Sequence, residues 1–221
     1  MDEFLREFAP MLAEGLLDTL YMTLFSTFLA YVLGLPVGVL LVVTDKDGLK
    51  PHAALNRVLG IVVNILRSIP FLILLIAVIP FTRFVVGTTI GSSATVVPLV
   101  IAAAPFIARL VESSLKEIDR GAIEAATAMG ASPWQIVYKV LLPEARPSLI
   151  LGAAISVTTI LSYSAMAGIV GGGGLGDIAI RYGYYRYRTN VMLVTVAILV
   201  IVVQIFQEVG AKAAKWGDKR L

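Results

Sequence analysis

The sequence predicts an all-α, polytopic membrane protein with five transmembrane helices. Three observations predict it. Only 15% of the residues are charged and 58% are hydrophobic, whereas a soluble domain carries about 25% charged residues. Stretches with no charge, or one, recur at lengths that cross a bilayer; the hydrocarbon core of about 30 Å takes about 20 helical residues at about 1.5 Å each. The net charge of +3 is scattered over short loops. In an apolar chain that pattern reports orientation, not nucleic-acid binding.

Residues 1–16 form an N-terminal segment, MDEFLREFAP onward. It is acidic and lacks the basic start of a cleaved signal peptide. Phe4, Leu5, Phe8, Met11 and Leu12 fall at helical spacing, which predicts a helix lying along the outer interface. The membrane domain covers 17–208. Its first span, about 19–44, is uncharged and holds Gly34 and Gly38 around Pro36. Small residues four apart let a neighbouring helix approach closely, so these two are candidate packing positions. Asp45-Lys46-Asp47-Gly48 has too few ligands for a calcium loop and reads as a turn.

The second span, about 58–82, carries one charge, Arg67. A charge in a span is costly; it either snorkels to the headgroups or faces protein. The third, about 93–111, starts after the turn-like GTTIGSS. A long loop, 112–146, follows. Glu112 stands four before Lys116, a favourable helical pair. Gly130 marks a turn between two short helices. Ser132 and Pro133 read as the cap and first turn of the second helix, and Pro143 as its stop.

The fourth span, about 147–170, bears Thr158, Thr159, Ser162, Tyr163, Ser164 and Met166 as a polar stripe. Such hydroxyls bond to a neighbouring helix or their own backbone, or line a path; in the second case Tyr163 to Met166 is the place for a gate. The GGGGLG run at 171–176 formally fits a dinucleotide motif, but it follows an apolar span and no βαβ unit is present. It reads as an extracytoplasmic turn. The fifth span runs from Thr189 to about 208, and 209–221 is the tail.

Loop charge sets the direction. The 45–57 loop, the 109–147 loop and the tail hold Lys46, Lys50, Arg57, Arg109, Lys116, Arg120, Lys139, Arg146, Lys212, Lys215, Lys219 and Arg220. The other side holds only Arg6, Arg83, Arg181, Arg186 and Arg188. Positive loops stay cytoplasmic. The N-terminus is therefore expected outside, and the 112–146 loop and the C-terminus inside. The cluster at 181–188 opposes that bias.

Reaction chemistry is sparse. Cysteine is absent and His52 is the lone histidine. No metal set, nucleophile–base pair or GxxxxGK[ST] loop occurs, so no catalytic residue, metal or cofactor is expected on this chain. No Asp or Glu falls between Thr189 and Gln207 or within the other spans, and no internal repeat is visible. Both argue against an ion-coupled transporter working alone.

Glu124, Ala125, Ala126, Gly130, Leu142 and Pro143 have the spacing of a known motif. The stretch resembles the EAA loop of ABC-type importer permeases, with Val140 where the family usually has Ile. GLPVGVLL (34–41), NILRSIPF (64–71), IPFTR (79–83), APFIAR (104–109), VLLPEA (140–145) and YSAMAG (163–168) are similar to the methionine-uptake permeases of bacterial ABC importers. The resemblance implies the type I ABC importer permease fold, with 17–208 as its transmembrane domain, in the bacterial inner membrane. It implies a second copy of the chain. It also implies two ATPase subunits that hold ATP and magnesium, and an extracytoplasmic methionine-binding lipoprotein. The docking residues it implies are Glu124, Ala125, Ala126, Gly130, Ala131, Leu142 and Pro143. The pathway residues expected here, Arg67, Ser162, Tyr163, Ser164 and Met166, rest on residue chemistry; for Arg67 the likeness of RSIPF adds weight. Family members usually carry fewer basic residues around 181–188. Another amino acid or a small peptide is the rival substrate.

Overall fold

A bilayer leaves each backbone N–H and C=O no water to bond, so a spanning chain satisfies them internally, and helix does so residue by residue. The computed structural model describes residues 2–217, with side chains over 8–216, and is helical throughout, with no strand among the described residues. Phe4, Leu5 and Arg6 side chains, and Lys219 and Arg220, lie outside that description. Among the described residues four helices are long and apolar enough to cross a membrane, or up to five spans if one bent pair counts as one.

Helix α1 (Asp2–Val43) is continuous. The segment expected along the interface is therefore the first turns of the first spanning helix. Phe8 and Leu12 are buried against other helices, which removes the apolar face an interfacial helix would give to lipid.

The expected helix over 58–82 is instead three pieces: α2 (Ala53–Ser68), α3 (Phe71–Ala77) and α4 (Ile79–Val86). The chain bends by 101° between α2 and α3. Pro70 explains it: proline offers no N–H and drives the residue before it out of the helical region. Pro80 sits in the first turn of α4, where a missing N–H costs nothing. His52 begins α2, its Nδ1 accepting the Leu55 N–H at 3.1 Å.

Helix α5 (Ser92–Lys116) runs past the expected end at 111, and so carries Glu112 in its last turns. Two short helices follow: α6 (Arg120–Ala128) and α7 (Pro133–Ile136). A π turn, Val137–Leu141, leads into α8 (Leu142–Glu144). Pro143 does not stop this run. The Leu142 N–H donates to the Val137 carbonyl, five residues back. That wider turn makes room where a proline ring would strike the carbonyl four residues before it. Helix α9 (Arg146–Ala167) ends in a 3₁₀ turn, Gly168–Val170. Next come α10 (Gly174–Ile178), a π turn at Ala179–Tyr184, and α11 (Thr189–Gly217), which takes in most of the expected tail. All of α10 is buried, so the second half of the glycine run is packed helix and not a loose turn.

The chain forms two compact units, with α1, α5, α9 and α11 each lending residues to both. The first comprises Met1–Leu29, Ile69–Ala103 and Val157–Gln207. Its core joins Phe8, Leu12, Leu175, Ile178 and Val191. Buried Thr19 stitches it: its hydroxyl donates to the Gly15 carbonyl at 2.8 Å and accepts the Leu175 N–H at 2.9 Å.

The second unit comprises Ala30–Ser68, Ala104–Ser156 and Glu208–Leu221. Leu41, Val63 and Ala108 pack at its centre. Gly34 and Gly38 lie against α5. A Cβ on either would stand 2.6 Å from a carbonyl oxygen, that of Ala104 or Ala108. No real side chain tolerates that spacing, so the two glycines set how closely the helices pack. Asn56 Nδ2 donates to the Leu41 carbonyl at 2.7 Å and to Thr44 Oγ1 at 3.2 Å. That fastens α2 to the end of α1.

Candidate functional site

The segment from Asp119 to Pro143 is built from local rules. Asp119 caps α6, its carboxylate accepting the Gly121 N–H at 2.6 Å. Gly130 closes that helix at φ +80°. Its N–H donates to Thr127 O at 2.9 Å and the Ala131 N–H to Ala126 O at 3.1 Å. This is a Schellman ending, which needs a left-handed residue where Gly130 stands. Ser132 then caps α7 in a reciprocal pair with Gln135, at 2.8 and 3.3 Å, with Pro133 in the first turn.

The expected docking residues divide by exposure. Glu124, Ala125, Gly130 and Pro143 are exposed, Ala131 and Leu142 are half-buried, and Ala126 is buried. Sequence reasoning passed over three neighbours. Met129 is 82% exposed, Trp134 73% and Tyr138 56%. In a chain this apolar, such residues give no contrast until their exposure is known. With Glu124 they are exposed carboxylate and apolar side chains carried by one capped helix–turn–helix segment.

An ion chain stands at the base of this segment. Lys116 Nζ lies 2.7 Å from Asp45 and 2.9 Å from Glu112. Glu112 also meets Arg109, whose other nitrogen donates to Asn64 Oδ1 at 2.8 Å. The α1–α2 loop, α5 and α2 are thus linked where α5 hands over to α6. Arg120, the first residue of α6, lies 3.9 Å from Asp47. The hydrogen bond from Lys116 holds the Asp45 carboxyl below its ordinary range, against a smaller upward push from burial. A cavity of about 310 Å³ opens here, between Asp45, Asp47, Lys116, Arg120, Ile123 and Leu141. Ser148 shares a hydrogen bond with Ser114 at 2.8 Å and donates to Glu117 at 3.3 Å, tying the start of α9 to the end of α5.

The expected pathway residues are not gathered in one unit. Arg67 is exposed in the last turn of α2, in the second unit. Ser162, Tyr163, Ser164 and Met166 lie on α9 in the first. Their hydroxyls turn to their own helix: Ser162 donates to Thr158 O at 3.1 Å and Ser164 to Leu161 O at 2.8 Å. Ser164 is buried, while Ser162 and Met166 are exposed. Tyr163 stacks on Phe71, the first residue of α3, with centroids 4.5 Å apart and planes at 3°. Nothing in the sequence joins that pair. Among the described residues no group of His, Cys, Asp and Glu has the arrangement of a metal site.

The family model for binding-protein-dependent transport system inner membrane components matches residues 30–213. A relative from Vibrio cholerae serotype O1, named a probable D-methionine transport system permease protein MetI, is 53% identical over 203 residues, which cover 92% of this chain and 90% of the relative. The D-methionine transport system permease protein MetI of Escherichia coli strain K12 is 56% identical over 158 residues, 72% of this chain and 73% of that one. A crystal structure described as inward facing conformations of the MetNI methionine ABC transporter superposes with a TM-score of 0.95 at 50% identity, covering 96% of this chain and 99% of that chain. The helices, their order and these matches agree, and the chain belongs to the binding-protein-dependent transport system inner membrane components, as a MetI-like permease with the type I ABC importer fold.

Proposed function

We propose that this chain is the membrane-spanning subunit of an ATP-driven methionine importer. Two copies form the translocation pathway, and two separate ATPase subunits, which hold ATP and magnesium, dock on the 112–146 loops. An extracytoplasmic lipoprotein delivers the amino acid. The chain itself catalyses no reaction. Its N-terminus lies outside and its C-terminus in the cytoplasm, following the distribution of Lys and Arg.

One observation carries the docking role: the exposed surface of Glu124, Met129, Trp134 and Tyr138 on α6, its turn and the helix that follows. Large apolar groups left in water within a polar segment mark a surface that a partner covers. Ala125, Gly130 and Pro143 of the same segment are exposed too, Ala131 and Leu142 are half-buried, and Ala126 is buried. Substrate identity follows the relatives, whose names specify methionine. On this reading Tyr163, Ser162, Ser164 and Met166 contribute to the pathway, where a flexible thioether and a ring face suit an apolar side chain. Arg67 is the charged contributor, exposed in the single chain.

The test is uptake of labelled methionine, as both enantiomers, in cells lacking this gene. The gene is restored with and without its neighbouring ATPase gene. Uptake that returns only with both supports the proposal; co-purification with the ATPase and no methionine uptake keeps the importer and removes the substrate. Glu124→Lys is expected to cut uptake by about ten-fold or more, because placing like charge against like charge across an interface costs several kcal/mol. Full uptake in that variant would sink the docking role.

A further inference from the structure

The segment RYGYYRYR at 181–188 is not used by the transport reading, and its three arginines oppose the charge bias of the loops. It ends where the span Thr189–Trp216 begins. That helix is 28 residues long, about 42 Å at the helical rise, so its ends lie at or beyond the edges of a core of about 30 Å. Residues 181–188 therefore stand at headgroup level. Arg188 also reaches the first spanning helix: its guanidinium lies 5.0 Å from the ring centroid of Phe8 on α1.

Exposure and chemistry match that depth. Tyr184 is 63% exposed, Tyr185 64% and Tyr187 88%. Arg181, Arg186 and Arg188 are exposed as well. Tyrosine prefers this layer, with its ring toward the chains and its hydroxyl in the headgroups. Arg181 pairs with Asp177. Arg186 lies over the Tyr182 ring, 4.5 Å from its centroid. Stacking occupies the face of a guanidinium, but its N–H donors lie in the plane, so the fork of Arg186 stays at the rim for an oxyanion. Tyr187 takes φ +55°, the only positive value among the described non-glycine residues. A recess of about 340 Å³ lined by Tyr187, Arg188, Thr189, Asn190 and Val191 adjoins the patch.

We propose that residues 181–188 form a binding surface for anionic phospholipid headgroups, with Arg186 on the phosphate, Arg181 and Arg188 adding positive charge beside it, and the exposed tyrosines in the headgroup layer. Basic residues at a membrane surface each contribute about five-fold in affinity for anionic lipid. The surface holds the start of α11 at fixed depth.

The full-length chain is reconstituted in nanodiscs of equal phosphatidylglycerol and phosphatidylcholine, and the lipid retained on release into detergent is measured by mass spectrometry. Phosphatidylglycerol is expected to be enriched by about an order of magnitude or more. Joint replacement Arg181→Gln, Arg186→Gln and Arg188→Gln is expected to abolish the enrichment, and the same three positions as Lys to keep only part of it, because the charge remains and the stacked fork does not. Melting in pure phosphatidylcholine discs checks folding; if the triple Gln variant does not fold, Arg186→Gln alone is expected to lower enrichment about five-fold. Unchanged enrichment in Arg186→Gln overturns the proposal. So does displacement of the lipid by millimolar inorganic phosphate, which would make this a free-anion site. Loss of binding-protein capture with lipid enrichment intact would make it a protein surface instead.

Discussion

Gly130 is held at φ +80°, with nothing within 4 Å of where a Cβ would stand. Backbone angle, not crowding, selects glycine there. A left-handed conformation costs an L side chain about 1–2 kcal/mol, and Asn bears it best. Gly130→Val is expected to lower the melting temperature and uptake together, while Gly130→Asn stays near the parent. Equal melting of the two variants would remove the angle as the cause. This turn was legible in the sequence because a glycine between a helical run and Ser132-Pro133 has few other uses. Met129, Trp134 and Tyr138 were not legible, since apolar residues abound here and only exposure sets these apart. The Tyr163–Phe71 stack was hidden for another reason: it joins residues far apart in sequence, and no local pattern reports such a pair.

At the level of elements, hydropathy found the long helices and missed their bends. The apolar run over 58–82 reads as one span because a transfer scale sums residues and ignores direction. Pro70 and Pro80 lay within it, and backbone geometry gave them the deciding role. The ends of helices were also misread. Glu112 reads in the sequence as the first residue of the loop, in a helical pair with Lys116; it lies instead within α5, where Arg109 and Lys116 flank it. The ion chain running on to Asp45 gives a pH prediction. The folded Asp45 pKa lies below its unfolded value of 3.8, with the Lys116 hydrogen bond as the main cause. A depressed carboxyl pKa stabilises the fold above the unfolded value, and that contribution disappears as pH falls through the folded one. Asp45→Asn is expected to be less stable than the parent at neutral pH by about 0.2–1 kcal/mol, the range of partly exposed pairs. The gap should begin to narrow as pH falls below about 3.8 and close only through the lower folded value. Denaturation of both proteins in detergent from about pH 7 downward checks it; a gap that does not narrow at all below about pH 3.8 would assign the loss to packing instead of charge.

The whole molecule is a set of helices whose outward faces are apolar. Val58, Ile61, Val62 and Ile65 on α2 are 47–58% exposed, and Leu193, Val200, Ile201, Ile205 and Val209 on α11 are 53–62% exposed. Soluble proteins do not leave such stripes in water. Lipid or a second copy covers them, which is why membrane class was the most legible property of the sequence. Sidedness is less direct, because it rests on counting charges that the 181–188 cluster partly cancels. Helix order makes it testable without that count. Ala128 lies between α5 and α9, and Tyr187 between α9 and α11, so a single spanning helix, α9, separates them. The two positions must face opposite sides of the membrane. The chain has no cysteine, so the parent serves as the unlabelled background for single substitutions. Both sites are exposed. In intact spheroplasts a membrane-impermeant maleimide is expected to label Tyr187→Cys and to spare Ala128→Cys until the membrane is broken. The reverse pattern would invert the proposed orientation and put the docking surface outside, beyond reach of any cytoplasmic ATPase. Labelling of both in intact spheroplasts would mean that α9 does not cross, and the count of spans would fall with it.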